Sequence, residues 1–335
     1  KGDYGKLTTV LDKEILFRCL LEEAKECSVD VFPGINVEKV TTASEGVTVE
    51  GSGQSFESSY LIAADGLNSR IAQMMGLNED RTYYCQLRAI VHDMSGVELP
   101  EPDACTVTFG FMKEGPAELL IFPRPNEGEY SFTVITLHPL VNLEAAVNYF
   151  TKEAFCAPWF KNAKILRTLS ANLSCYSPIV EPYKDRVLVI GDVGATQELE
   201  ITGAMISGWK AGHAISLALQ EEKLGLEVTA ISQYVNWWKE DYVNYYSSDA
   251  YMKVWSLPFV LSEPEVMDYL FSLIKEPMPP CFNPYTSGKH LGRAIRKVMP
   301  TIEQEKPELL QKLKKMGAPF TEIIADVTKL SKPIN

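Results

Sequence analysis

The stretch Arg186-Val187-Leu188-Val189-Ile190-Gly191-Asp192 decides how this chain folds. Four consecutive apolar residues, three of them β-branched, read as a short strand buried on both faces of a parallel sheet. The Gly-Asp that closes it marks the carboxyl end, the edge where such sheets bind ligands. A small-residue helix follows, carrying Gly203, Ala204, Ser207 and Gly208, so another group can approach its backbone closely. Tyr60-Leu61-Ile62-Ala63-Ala64-Asp65-Gly66-Leu67-Asn68-Ser69-Arg70 repeats the arrangement, with an apolar strand ending in Asp-Gly before a helix. Two such strand ends in one chain predict a single long ligand lying across both.

Outward from these strands the pattern alternates. Apolar residues at helical spacing from Leu11 to Ser28 (Ile15, Leu16, Cys19, Leu20, Ala24) predict an amphipathic helix. Short strands are expected at Val29 to Phe32, Asn36 to Thr41, Gly46 to Glu50 and Ser55 to Ser58, forming a meander. Gly51-Ser52-Gly53 precedes a strand and lacks a third glycine, so it reads as a hairpin turn rather than a phosphate loop. From Tyr83 to Leu137 four strand-like segments predict a second, largely antiparallel sheet. Leu143 to Phe155 and Trp159 to Asn162 read as helical, and Ile165 to Tyr176 as a returning strand. Beyond Leu219 the chain is mostly helical. Its aromatic residues Tyr234, Trp237, Trp238, Tyr242, Tyr245, Tyr246, Tyr251 and Trp255 lie at three- and four-residue spacing, which reads first as core packing and second as a membrane-interface stripe.

Composition excludes several classes. A formal net charge of −12 over 335 residues offers little to neutralise a phosphate backbone, so nucleic acid is excluded as a partner. The seven cysteines are scattered without any Cys-x-x-Cys pair, which excludes the usual zinc and iron–sulfur spacings and fits free thiols in a reducing cytosol. His92, His138, His213 and His290 stand at no metal-ligand spacing; no metal is expected, and His213 reads as a packing residue. No run of 18 apolar residues exists, so the chain reads as cytoplasmic, with peripheral membrane contact as the alternative. It begins at Lys1 and enters a helix without any preceding strand-turn-helix, so upstream residues are expected.

The two strand ends, in this order and separation, resemble those of the flavoproteins with the p-hydroxybenzoate hydroxylase-type fold. Within them the chain is similar to the geranylgeranyl reductase group and its electron-transfer-flavoprotein-quinone oxidoreductase relatives. Residues 61–70 resemble the family's Asp-Gly motif, and 187–216 its Gly-Asp motif with the following helix. Leu119-Leu120-Ile121-Phe122-Pro123 resembles the reductase segment Tyr-x-Trp-x-Phe-Pro, of which only the Phe-Pro is retained. The resemblance implies an α/β fold: an FAD-binding domain (1–80 and 177–222) with its N-terminal part missing, an inserted antiparallel-sheet substrate domain (81–176) and a helical C-terminal region (223–335).

The resemblance further implies FAD as cofactor. Gly191 and Asp192 would meet its ribityl chain, and Gly203 and Ala204 would meet the flavin's pyrimidine edge at a helix start, whose partial positive charge favours the reduced ring. Asp65 and Gly66 would shape the adjoining turn, and Lys13 stands where the family has an arginine. The substrate, an apolar isoprenoid-like molecule whose C=C bonds are reduced, would lie between the flavin and the second sheet, near Phe122, Pro123, Tyr84 or Cys85. A redox partner protein or quinone as electron acceptor, a hydroxylase, and a flavin-free scaffold subunit are the alternatives. The departures are the missing Gly-x-Gly-x-x-Gly and the carboxylates Glu198 and Glu200 close to where an anionic cofactor would sit.

Overall fold

The structure is a computed structural model that describes residues 10–194, 200–245, 248–261, 263–277 and 284–329. In chain order the elements are α1 (Lys13–Glu26), β1 (Val37–Thr42), β2 (Val47–Gly51), β3 (Gln54–Ser58), β4 (Leu61–Ala63), α2 (Arg70–Met74), β5 (Tyr83–Ser95), β6 (Thr106–Met112), β7 (Gly115–Pro123), β8 (Glu129–Thr136), α3 (Leu143–Lys152), β9 (Lys164–Tyr176), β10 (Tyr183–Lys184), β11 (Val187–Val189), α4 (Glu200–Lys223), α5 (Ala230–Trp238), α6 (Ser248–Leu261), α7 (Pro264–Leu273), α8 (Pro284–Glu305), α9 (Pro307–Lys315) and α10 (Phe320–Lys329). They fall into two compact units, one of residues 31–84 and 174–251, the other of residues 1–30, 85–173 and 252–335. The first 30 residues thus group with the second sheet rather than with the strand-end motifs. An ion pair from Glu14 to Arg167 of β9, at 3.8 Å, ties α1 there.

In the first unit β11 pairs in parallel with β4, Val187 to Leu61 and Val189 to Ala63, and antiparallel with β10 on its other side. Val187, Leu188 and Val189 are all fully buried, as a strand covered on both faces must be. The core around them gathers Ile71, Ala72, Ile179, Ala211, Ala214, Ala218, Ile231, Tyr234 and Trp238. The meander of β1, β2 and β3 forms a separate antiparallel sheet, and Ser52 and Gly53 make its turn with φ of 50° and 75°. That left-handed pair is the backbone of a two-residue hairpin, as the sequence predicts. Val29 to Phe32 do not form the strand expected of them; they follow α1 as a turn-containing connection.

In the other unit five antiparallel strands are ordered β6-β7-β8-β5-β9. Residues of alternating parity along β7 and β8 face a core closed by α3 and Phe160: Ala117, Leu119, Ile121, Phe132, Val134 and Phe150 are all in it. α3 begins where Asn142 accepts a hydrogen bond from Ala145 N at 3.0 Å, a side-chain cap that satisfies one of the four free N–H groups at a helix start. A second cluster joins α6, α7, α8 and α9 through Leu257, Leu261, Leu270, Ile302 and Leu309, with Phe109 and Phe111 of β6 packed against it. α1 has the helical periodicity expected, yet none of its residues is buried; Ile15 and Phe17 keep 57% and 55% of their surface.

Candidate functional site

The site is built on the carboxyl end of β11. Beyond Ile190 the chain makes a short 3₁₀ turn, Gly191–Gly194. Gly191 takes φ +57°, a conformation that side-chain-bearing residues rarely adopt. Its N–H donates to Ser207 Oγ at 3.0 Å, and that hydroxyl in turn donates to the carbonyls of Gly203 and Ala204, at 2.8 and 3.1 Å. One buried serine thus fastens the strand end to α4. The approach is close because the facing residues are small: a Cβ built on Gly191 would lie 3.5 Å from that of Ala204, and one on Gly208 would lie 3.7 Å from Ile190 Cδ1. The structure therefore brings together Gly191, Gly203 and Ala204, and leaves the Asp192 side chain exposed beside them. Gly203 and Ala204 are the fourth and fifth residues of α4, which starts at Glu200. Glu198 lies outside the described residues, as does the Glu200 side chain.

Three residues that the sequence reading passed over or read only as packing hold the turn in shape. Trp238, fully buried on α5, donates from Nε1 to Ile179 O at 2.7 Å, and Ile179 N donates to Gly194 O at 3.4 Å. Its ring occupies the space a side chain at position 194 would need, since a Cβ there would come within 2.2 Å of a ring carbon. Tyr234 OH donates to Val189 O at 2.8 Å. Arg81 donates from Nε to Ser177 O at 2.7 Å, and from Nη1 to Asn78 Oδ1 and to Val193 O, at 3.0 and 3.2 Å. Burial lowers the Arg81 pKa to about 10, so it remains a cation at neutral pH, and its Nη2 is sealed from solvent without a partner among the described residues. The aromatic spacing from Tyr234 onward signalled Tyr234 and Trp238 as core residues; nothing local marked Arg81.

Asp65 and Gly66 do what their sequence implies for the turn. Asp65 accepts from Ser69 Oγ at 2.6 Å and from the N–H groups of Arg70 and Ile71 at 2.8 and 3.2 Å, while Ser69 Oγ accepts from Ala72 N at 2.8 Å. Both carboxylate oxygens are engaged in starting α2, and Gly66 supplies φ +81° with open space beyond it. At the opposite, amino end of β4 and β11, Arg186 pairs with Glu222 at 2.9 Å, and its guanidinium carbon lies 4.9 Å from the centre of the Tyr60 ring. Burial, then the hydrogen bond to Glu222, push Tyr60 up to about 12. This cluster clamps the strand pair at the end remote from Asp192.

The remaining candidates belong to the sheet unit. Lys13 opens α1 and is exposed. Phe122 and Pro123 end β7, half-buried, and Cys85 is buried at 6% exposure. His213 departs from expectation: it is exposed on α4 and stacks on the equally exposed Trp209 with ring centres 5.6 Å apart. Helical spacing alone did not tell an outward position from an inward one there. Cys19, Cys27 and Cys105 are exposed rather than packed, while Cys156 and Cys175 are buried. Among the described residues no cluster of His, Cys, Asp or Glu could hold a metal, and no helix is long and apolar enough to cross a membrane.

The family model described as FAD binding domain matches residues 3–154. The digeranylgeranylglycerophospholipid reductase 1 of Methanococcoides burtonii is 22% identical over 80% of this chain, and that of Methanocaldococcus jannaschii 25% identical over 80%. The chain spans 65% of the length of each of these relatives. The chain is similar to these geranylgeranyl lipid reductases over most of its length. A geranylgeranyl bacteriochlorophyll reductase-like structure from Thermoplasma acidophilum shares its fold, with a TM-score of 0.65 at 16% identity over 91% of this chain and 75% of the other. The fold is accordingly the p-hydroxybenzoate hydroxylase type, and FAD is the cofactor that the matching family model names. The turn at Gly191–Gly194 fits that cofactor: a left-handed glycine exposes backbone, a carboxylate stands beside it, and the facing helix is free of bulk.

Proposed function

We propose that this flavoprotein is an oxidoreductase that reduces carbon–carbon double bonds of an apolar, isoprenoid-like substrate. The observation that carries the reading is the Gly191-Asp192 strand end fastened through Ser207 to the small-residue face of α4, in a chain whose relatives are named for reduction of geranylgeranyl lipids. Bound FAD supplies hydride chemistry that no side chain here can perform. The residues of this chain bind and orient it. Asp192 would accept hydrogen bonds from the ribityl hydroxyls, and Gly191, Gly203 and Ala204 would let the ring system approach the backbone. Ser207, Trp238 and Arg81 hold the turn rigid, so that a loosely bound ring does not lose rate through misplacement. Lys13, Phe122 and Pro123 belong to the other unit.

The experiment is a visible spectrum of the protein expressed from its full gene, with released flavin counted per chain, followed by anaerobic reduction and addition of a geranylgeranyl lipid. One FAD per chain, bleached by reductant and recovering its absorbance when the lipid is added, is the expected result. Absence of flavin after incubation with excess FAD overturns the reading in favour of a cofactor-free binding subunit. Recovery with a quinone but not with the lipid overturns the substrate class.

A further inference from the structure

One charge in the unit of β4 and β11 is left unanswered. Elsewhere enclosed charges meet their opposites: Asp93 of β5 lies against Arg124 at 2.8 Å and Arg167 at 3.0 Å, and Arg186 meets Glu222 at 2.9 Å. Glu118 of β7, 5% exposed and unpaired among the described residues, avoids the problem differently. Burial pushes it up to about 8, so at neutral pH it keeps its proton and carries no charge. Arg81 has neither remedy. Its three hydrogen bonds go to neutral acceptors, Ser177 O at 2.7 Å, Asn78 Oδ1 at 3.0 Å and Val193 O at 3.2 Å. Nη2 is sealed from solvent and unpartnered among the described residues, and no carboxylate among them acts on the guanidinium. Glu79 and Asp80, the acids beside it in sequence, are exposed. The Tyr176 ring, its centre 5.0 Å from the guanidinium carbon, offsets part of the burial cost.

This charge stands at the cofactor turn. Val193, whose carbonyl it holds, follows Asp192 directly, and Asn78, Arg81, Tyr176, Ser177 and Val193 all belong to the same unit, residues 31–84 and 174–251. Fastening the turn calls only for N–H groups, which an uncharged amide supplies without enclosing a cation. The charge itself therefore needs another explanation than the hydrogen bonds. An anion bound at the turn provides one, because a cation shielded from water acts on it more strongly than a solvated one does.

We propose that Arg81 is a fixed charge that favours reduced over oxidised flavin at the Gly191–Gly194 turn, and so raises the flavin's reduction potential. The inference rests on the reading that FAD binds at this turn. Taking up two electrons and one proton gives the neutral ring a negative charge, which a poorly solvated cation stabilises. The pyrophosphate of FAD carries the same charge before and after reduction, so its attraction to Arg81 aids binding and leaves the potential unchanged. Arg81 is a positioning residue: it acts on the ring through the turn it holds and the field it sets up there.

The discriminating variant is Asn78→Asp. It keeps the oxygen that accepts from Arg81 Nη1 and sets a carboxylate against the cation. If Arg81 only holds the turn, the new ion pair tightens that hold and leaves the potential where it was. The proposal expects the potential to fall. The holoprotein expressed from its full gene, titrated anaerobically at neutral pH against a reference dye, should melt no lower than the parent. It should favour reduced flavin about tenfold less, a fall of about 30 mV for two electrons. Arg81→Lys, which keeps the charge and loses the planar fork, is expected to hold the parent equilibrium within about threefold, and Arg81→Gln to fall as Asn78→Asp does. An Asn78→Asp protein within about threefold of the parent, or an Arg81→Lys protein that falls as far as Arg81→Gln, overturns the charge role while FAD remains bound. Where Asn78→Asp does not fold, the Lys and Gln pair decides alone. A parent that binds no FAD overturns the underlying reading and this inference with it.

Discussion

The parallel pair β4–β11 and the antiparallel sheet β6–β7–β8–β5–β9 treat their polar groups in opposite ways. At the ends of β4 and β11 the polar groups that shape the turns are spoken for: Asp65 by three donors, Gly191 N–H by Ser207, and Val189 O by Tyr234. On the sheet face Glu118 has none of this, although Asp93 on the same face has two arginines. One region is built to be rigid and to present backbone; the other holds an apolar wall with one unpaired acid. Rigid hydrogen-bonded turns suit a cofactor of fixed shape.

The sharpest way to break the contrast is Trp238→Ala. It removes a fully buried indole and its hydrogen bond to Ile179, for an expected loss of about 3–5 kcal/mol. Hydrogen exchange should show the loss around β11 and α4 while β7 and β8 keep their protection; uniform loss in both units would erase the distinction drawn here. Asp93→Asn tests the opposite region. It leaves Arg124 and Arg167 facing a neutral amide, at an expected cost of up to about 3 kcal/mol by urea denaturation, with Glu118→Gln costing far less.

Glu118 also makes stability depend on pH. Glu118 binds its proton more tightly folded than unfolded, so between its ordinary pKa and about 8 the native state carries the extra proton. Stability should therefore fall as pH rises through that window, by up to about 1.4 kcal/mol per pH unit, and level off above it. Glu118→Gln should flatten this part of the profile in denaturant titrations from pH 5 to 9. Asp65→Ala should cost about 1–2 kcal/mol by loosening the start of α2. The smallest effect belongs to Lys297→Ala, which removes an exposed pairing with Glu276; a change of under about 0.5 kcal/mol in thermal unfolding is expected.

How much of this was legible depended on which atoms carried the information. The Gly191-Asp192 and Asp65-Gly66 turns showed in the sequence because left-handed φ and close backbone approach demand particular residue types at particular places. Periodicity also located the sheet strands within a few residues, and the Ser52-Gly53 hairpin followed from its two turn residues. Residues 29–32 misled because β-branched and aromatic composition states a preference that needs a partner strand to be realised. Arg81 and Trp238 were not legible as turn supports, since their contacts reach Val193 from 112 residues away and Ile179 from 59. Glu118 was written in the alternation of β7 all along, but a single acid in an apolar strand looks like a solvent-facing position until the other face is known to be covered.

The β10–β11 hairpin turns on Asp185 and Arg186, both left-handed at φ 47° and 68°, where glycine or asparagine would sit more easily. Arg186 nevertheless reaches Ser44 O at 2.7 Å, Ser59 O at 3.2 Å and Glu222 at 2.9 Å. Local backbone preference and distant tethering thus select opposite residues at one position. A library screened only for turn formation would enrich glycine at 186, yet survivors chosen for an intact cofactor unit would return to arginine, so this uncomfortable turn is a place where evolution has little freedom to drift.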